Sequence, residues 1–286
     1  MGLDDDTLTE MDLKIKFHSN LKFKMTVASS FFFKYILINY MIYVINLKHR
    51  TDRLQSIQSQ LKDKDYKIIE AIDGEKLYKD FVYRQQVSKE LDIPQCLLDE
   101  DYIDSRANFA TMSRRIAYKY KIVSCFLSHL KALKSAYEDK SEDPIVMEDD
   151  AVIKDYSFFD MKLPDEYDVV LCSPDFNIRH LHLIDTEGGL QPVNMETPCW
   201  TTACYFCNKP KLIHDMMKSG FREGKGKRKA KQQNDSDKIL ISSADGWFKN
   251  NIYAFGNSYF ILPKPVIQGD FGSDLDHTYK KIYESV

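Results

Sequence analysis

Asp143-Pro144-Ile145-Val146-Met147-Glu148-Asp149-Asp150-Ala151-Val152 contains a short apolar run, entered through a proline and stopped by three carboxylates. A run of that length, bounded by turn-forming residues, is the pattern of a buried parallel strand. Such a strand delivers its acids to the carboxyl edge of a sheet, where open α/β sheets bind ligands. Three adjacent anions repel one another unless a cation or solvent neutralises them. Glu148 and Asp150 are therefore the candidate pair to share Mn²⁺ or Mg²⁺ with a diphosphate, because these ions are held by one or two carboxylates plus phosphate oxygens. The competing reading is a solvated strand-to-loop turn.

Upstream of this strand, Ser124 is expected to cap an amphipathic helix carrying Leu127, Leu130, Leu133 and Tyr137 on one face. Earlier still, Met41 to Leu47 is a continuous apolar run typical of a central parallel strand. A helix with Leu54, Ile57 and Leu61 at helical spacing follows, and then a strand from Tyr66 to Ile72 closed by an Asp73-Gly74 turn. Strand, helix, strand in this order is a βαβ unit. Residues 75–120 are polar and irregular, with one helix near Phe81 to Leu91, and suit a lid or insertion. Beyond the acids, strands are expected at Tyr167 to Cys172, Trp200 to Cys207, Ile252 to Phe255 and Tyr259 to Pro263. Residues 175–198 read as loop-rich, Pro210 to Lys218 as a helix, and Ser243 to Phe248 as a helical turn. The Lys/Gly/Gln-rich run from Arg222 to Lys238 reads as a surface loop.

A chain of 286 residues can bury a sizeable core. Its net charge of −3 gives no electrostatic footprint for nucleic acid. The six cysteines are scattered through apolar stretches, as expected of reduced thiols in a cytoplasm-like compartment. Cys204 and Cys207 have zinc-knuckle spacing, but on a strand they face opposite ways. Residues 1–40 read as an extension outside the main domain. Asp4-Asp5-Asp6 argues against a signal peptide, and membrane association through residues 25–40 stays open.

Several segments together resemble glycosyltransferase family 25, which includes lipooligosaccharide galactosyltransferases and collagen galactosyltransferase-like proteins. Ile45-Asn46-Leu47-Lys48-His49-Arg50-Thr51-Asp52-Arg53 is similar to the family's opening, and Ala71-Ile72-Asp73-Gly74 to its Ala-x-Asp-Gly turn. Ser124-Cys125-Phe126-Leu127-Ser128-His129 resembles its Gly-Cys-x-x-Ser-His helix start, with serine in place of glycine. Glu148-Asp149-Asp150-Ala151 matches its acidic signature. Thr201-Thr202-Ala203-Cys204-Tyr205 resembles its Thr-x-Ala-Tyr strand with one extra residue, which leaves open whether Thr201 or Thr202 faces the acceptor. Ala244-Asp245-Gly246-Trp247 and Val266-Ile267-Gln268 correspond to a late acidic turn and a closing strand, so the resemblance spans about residues 41–275.

The resemblance implies a GT-A type α/β fold with a Rossmann-like, mainly parallel mixed sheet flanked by helices. Residues 41–152 form its nucleotide-sugar half and 153–286 its acceptor half. It also implies inverting, Mn²⁺-aided transfer of a hexose, galactose or glucose, from a UDP-sugar to a glycan or protein-linked hydroxyl. Asn46 and Asp73 are placed to hold uracil and ribose, Arg50 or Arg53 to pair with phosphate, and Asp149 to belong to the same donor-binding group. Ser128 and His129 are expected in the first turn of a helix, whose amides favour an anion. Asp245 is the candidate base, and Thr201, Thr202 and Trp247 the acceptor contacts. Asp274 and His277 are further ligand options for the ion. A non-catalytic carbohydrate-binding protein, a metal-dependent sugar nucleotidyltransferase and a glycoside hydrolase are the alternatives.

Overall fold

The computed structural model describes residues 40–106, 116–176, 188–193, 199–222, 243–253 and 256–271. Its strands are β1 (Ile42–Asn46), β2 (Tyr66–Glu70), β3 (Ile145–Glu148), β4 (Ala151–Ile153), β5 (Val169–Leu171), β6 (Asp175–Phe176), β7 (Gly189–Pro192), β8 (Cys199–Trp200), β9 (Cys204–Cys207), β10 (Ser258–Leu262) and β11 (Val266–Gln268). The helices are α1 (Thr51–Gln60), α2 (Gly74–Lys79), α3 (Phe81–Leu91), α4 (Glu100–Arg106), α5 (Ile116–Glu138), α6 (Pro210–Arg222) and α7 (Ala244–Phe248).

A seven-stranded mixed sheet runs in the order β2-β1-β3-β9-β5-β10-β7. β1 lies parallel to both β2 and β3, and β10 lies parallel to β5. β9 is antiparallel to both of its neighbours, and β7 closes the edge antiparallel to β10. β1 is buried along its whole length because each face meets a different apolar layer. Tyr43 and Ile45 join one cluster with Val123, Phe126, Leu127 and Leu130 of α5. Ile42 and Val44 join the other with Ile57 of α1 and Leu61 just beyond it. Alternate side chains of a strand point to opposite faces, so an all-apolar strand needs a layer on each side. Among the described residues the first to be buried is Tyr40, whose ring meets Phe206 edge-on at 5.0 Å.

Outside the main sheet, β4 pairs with β11, setting Gln268 opposite Ala151. This short ladder brings the end of the described chain beside the acidic triplet. Among the described residues no helix is long and apolar enough to cross a membrane.

Four local expectations are corrected. The helix through Ser124 begins upstream, at Ile116, so Ser124 and Ser128 are interior residues. Their hydroxyls donate back to the carbonyls of Lys121 and Ser124, each at 2.7 Å, an internal alternative to capping. Residues 75–120 are not irregular around a single helix. Asp73 and Asp80 cap α2 and α3 by accepting backbone N–H bonds, and buried Leu77, Val87, Leu91, Leu97 and Leu98 anchor the polar sequence. The strand expected from Trp200 is broken at Thr201, whose φ of 87° lies in the left-handed region. Ile252 and Tyr253 belong to a π-helical turn, Lys249–Tyr253, that prolongs α7; residues 254–255 lie outside the described residues.

Gly74 illustrates why α2 and α5 sit so close. A Cβ added there would fall 2.6 Å from Lys121 Cα and 2.8 Å from Ser124 Oγ. Gly74→Ala should therefore lower unfolding free energy by about 1–3 kcal/mol, as over-packing does, measured by urea denaturation. An unchanged midpoint would mean the two helices separate at little cost.

Candidate functional site

The acidic triplet is fixed by backbone bonds to three different segments. Glu148 N–H donates to Ala203 O (2.8 Å), Asp149 N–H donates to Ile45 O (3.0 Å), and Gly269 N–H donates to Asp150 O (2.6 Å). The turn therefore sits where β1, the approach to β9 and the end of β11 converge.

From this turn the three carboxylates go to different partners. Asp149 is 5% exposed and accepts from Asn46 Nδ2 (2.7 Å) and Arg53 Nη1 (3.1 Å). Asn46 uses its remaining amide hydrogen on the Arg50 carbonyl. Asp150 accepts from Gln268 Nε2 at 3.0 Å, with Arg53 Nη1 at 3.6 Å from the same oxygen. Its other oxygen, Oδ1, is buried with no hydrogen-bond partner among the described residues. Such an orphan acceptor is rare in a folded interior. Burial and then the neighbouring charge of Glu148 push the Asp150 carboxyl up to about 7, against the opposing pull of Gln268 and Arg53.

Glu148 points into a second network. Its Oε1 lies 3.1 Å from His129 Nε2 and 3.2 Å from Thr202 Oγ1. Burial raises its carboxyl, but the His129 hydrogen bond and charge, Thr202 and Arg53 together outweigh that and hold it below the usual range. Thr202 Oγ1 is also 2.8 Å from Asp245 Oδ1. A hydroxyl has one proton to donate, so at any moment it serves one of these two acids. Burial, then Glu148, raises the Asp245 carboxyl. His129 is 1% exposed, with Nδ1 3.2 Å from the Tyr205 hydroxyl.

The structure therefore brings Glu148, Asp149, Asp150, Asn46, Arg53, His129, Thr202 and Asp245 into one connected region. Several of the expected residues have other partners than those expected of them. Ser128 is an internal clamp, accepting from Ile72 N–H at 2.9 Å, and neither it nor His129 is at a helix start. Arg53 pairs with acids inside the protein, and Arg50 pairs with Asp52 and donates to the Phe271 carbonyl. The Asp73 carboxylate caps α2. Thr201 Oγ1 accepts from Ala203 N–H, so of the two threonines it is Thr202 that meets the acids. Trp247 is 3% exposed and packs edge-on against Phe126 and Phe248, which leaves no face for an acceptor. Ser243 caps α7, which frees the Asp245 carboxylate for Thr202. Asp274 and His277 lie outside the described residues.

Sequence reasoning missed Cys125, Tyr205 and Gln268. Cys125 and His129 are four apart, a spacing that puts both on one helical face. Nothing local marks Gln268; only the β4–β11 register does.

An acidic strand end on a mixed α/β sheet, joined to a buried histidine and a second acid, suits a group-transfer enzyme. Residues 39–176 match the model of glycosyltransferase family 25 (LPS biosynthesis protein). No curated protein matches the chain. The class so defined is a glycosyltransferase. The matched segment runs from the start of β1 through the acidic triplet to β6. Thr202, Asp245 and Gln268 lie beyond it and join the site through the fold alone.

Asp150 has a stability consequence. Its folded carboxyl titrates above an ordinary carboxylate, so the fold favours the protonated form. That contribution is complete below about pH 4 and is lost as pH rises towards 7. In the absence of divalent ions, Asp150→Asn should therefore be more stable than wild type at pH 8, by about 1–4 kcal/mol, with the gap closing at pH 4. Urea denaturation in EDTA at both pH values measures it. A less stable variant at pH 8 would show Asp150 to be satisfied as it stands.

Proposed function

We propose that this chain is a metal-assisted, inverting hexosyltransferase that moves galactose or glucose from a UDP-sugar to a hydroxyl of a glycan or protein-linked acceptor. The observation that carries the reading is the buried Asp150 Oδ1, without a hydrogen-bond partner among the described residues, beside Glu148 just past the end of β3. Hard oxygen donors of this kind fit Mn²⁺ or Mg²⁺, whose remaining positions are filled by phosphate oxygens and water. Glu148 and Asp150 are the residues to hold the ion. When bound, it supplies positive charge against which a diphosphate can depart.

The chain's own residues support the rest of the chemistry. Arg53 and Asn46 hold Asp149 and so fix the turn that aims Glu148 and Asp150. In an inverting step the acceptor oxygen bonds to the anomeric carbon as the bond from that carbon to the diphosphate oxygen breaks, and the acceptor proton passes to a base. Asp245 is the proposed base. It is partly exposed, burial and then Glu148 raise its carboxyl above the ordinary range, and Thr202 orients it. His129 holds Glu148, one of the two residues that would carry the ion.

Asp245→Asn keeps an oxygen for Thr202 but cannot take a proton. Transfer should fall by ~10²–10⁴, while UDP affinity by calorimetry and thermal stability stay near wild type. Undiminished transfer would reduce Asp245 to a structural role, and lost UDP binding would move it to the donor side.

Metal dependence is tested separately. EDTA should abolish turnover and Mn²⁺ restore it, with UDP-, GDP- and dTDP-sugars screened as donors. Full activity in EDTA would remove the ion from the reaction.

A further inference from the structure

Glu148 also belongs to a second donor set, with Cys125 and His129. The ligand atoms of Cys125, His129 and Glu148 all lie within 4.8 Å of one another. Two come from consecutive turns of α5 and the third from the end of β3. His129 Nε2 and Glu148 Oε1 are already 3.1 Å apart, close to the separation of two ligands on a tetrahedral ion. Cys125 and Glu148 are only partly buried, which leaves a route from solvent, whereas His129 is enclosed.

A sulfur, a nitrogen and an oxygen with an open fourth position suit Zn²⁺, while Mn²⁺ and Mg²⁺ prefer oxygen throughout. The geometry points to a Zn²⁺ site formed by Cys125, His129 and Glu148 that competes with the Glu148–Asp150 pair for the shared glutamate. Zinc occupancy then inhibits sugar transfer; this consequence rests on the function proposed above, whereas the site itself does not.

The surroundings support the assignment. A metal-bound histidine needs a partner for its other ring nitrogen, which fixes its orientation. Tyr205 provides one, its hydroxyl 3.2 Å from Nδ1 and its ring stacked at 5.8 Å on the imidazole. On binding, the Cys125 thiol releases its proton to solvent and the thiolate takes the ion. The imidazole Nε2 gives up the proton it shares with Glu148 and turns its lone pair to zinc, while an Nδ1 proton is donated to the Tyr205 oxygen. Binding therefore releases protons, and occupancy weakens as pH falls. Burial, and then the charges of Glu148, Asp245 and Asp150, keep the thiol protonated without metal, and the same carboxylates attract a cation.

Cobalt is the probe, because a thiolate bound to Co²⁺ gives a near-ultraviolet charge-transfer band that oxygen ligands do not. Co²⁺ is titrated into the full chain after EDTA treatment and desalting, for wild type, Asp150→Asn and Cys125→Ser. The band should appear in wild type and Asp150→Asn, vanish in Cys125→Ser, and be displaced by one equivalent of Zn²⁺. Mn²⁺-supported transfer by wild type should be inhibited by Zn²⁺. Cys125→Ser should transfer like wild type and resist Zn²⁺ by on the order of tenfold or more. Cys125→Ala repeats the comparison if serine unsettles the fold. No band in wild type, or an undiminished band without Cys125, overturns the site. A band with zinc-insensitive transfer overturns the competition. The cobalt reading needs no turnover, so failure of the proposed activity and failure of the zinc site are told apart.

Discussion

Three adjacent carboxylates held at the edge of a buried sheet are the constraint on which this molecule turns. Each anion taken out of water must find a cation, hydrogen-bond donors or a proton. Donors arrive from widely separated elements: Asn46 at the end of β1, Arg53 in α1, His129 in α5, Thr202 before β9 and Gln268 in β11. The order of strands in the sheet follows the same demand. β1 and β9 both flank β3, so the residues at their ends meet the acids.

The three acids are not served equally. Asp149 has a cation and an amide, and it anchors the turn. Glu148 has a histidine and a hydroxyl, and it couples the turn to Asp245. Asp150 keeps one buried oxygen without a partner among the described residues, in the field of Glu148. Unrelieved electrostatic strain of this kind opposes folding, and proteins keep it mainly where a ligand will relieve it. The rigid backing is apolar: Phe126, Trp247 and Phe248 interlock edge-on behind His129 and Asp245, so those side chains have little room to turn away.

Much of the fold was legible locally. The runs at Ile42–Asn46, Ile145–Glu148 and Val169–Leu171 announced themselves because a strand buried on both faces is apolar throughout. The α3 helix was bounded correctly at Phe81–Leu91. The start of α5 was misplaced because serine is both a good cap and a residue that can bond back within a helix. That error put Ser128 at an anion site, when it clamps the loop after β2 instead. Trp247 reads as an acceptor contact because a tryptophan beside an acid and a glycine carries no local sign of burial.

The sequence alone determined that an acidic triplet ends a buried strand, that a βαβ unit precedes it, and that glycosyltransferase family 25 is the family resembled. These follow from periodicity, composition and short motifs, which are properties of neighbouring residues. Tertiary structure alone decided which acid received which partner. Asn46 meets Asp149 across 103 positions and Gln268 meets Asp150 across 118, and in both cases strand register makes the choice. A one-residue slip in β11 would turn Gln268 to the other face and leave Asp150 without its only amide donor among the described residues. Local pattern tells a strand which face to bury, but the partner is set by the strand that packs beside it.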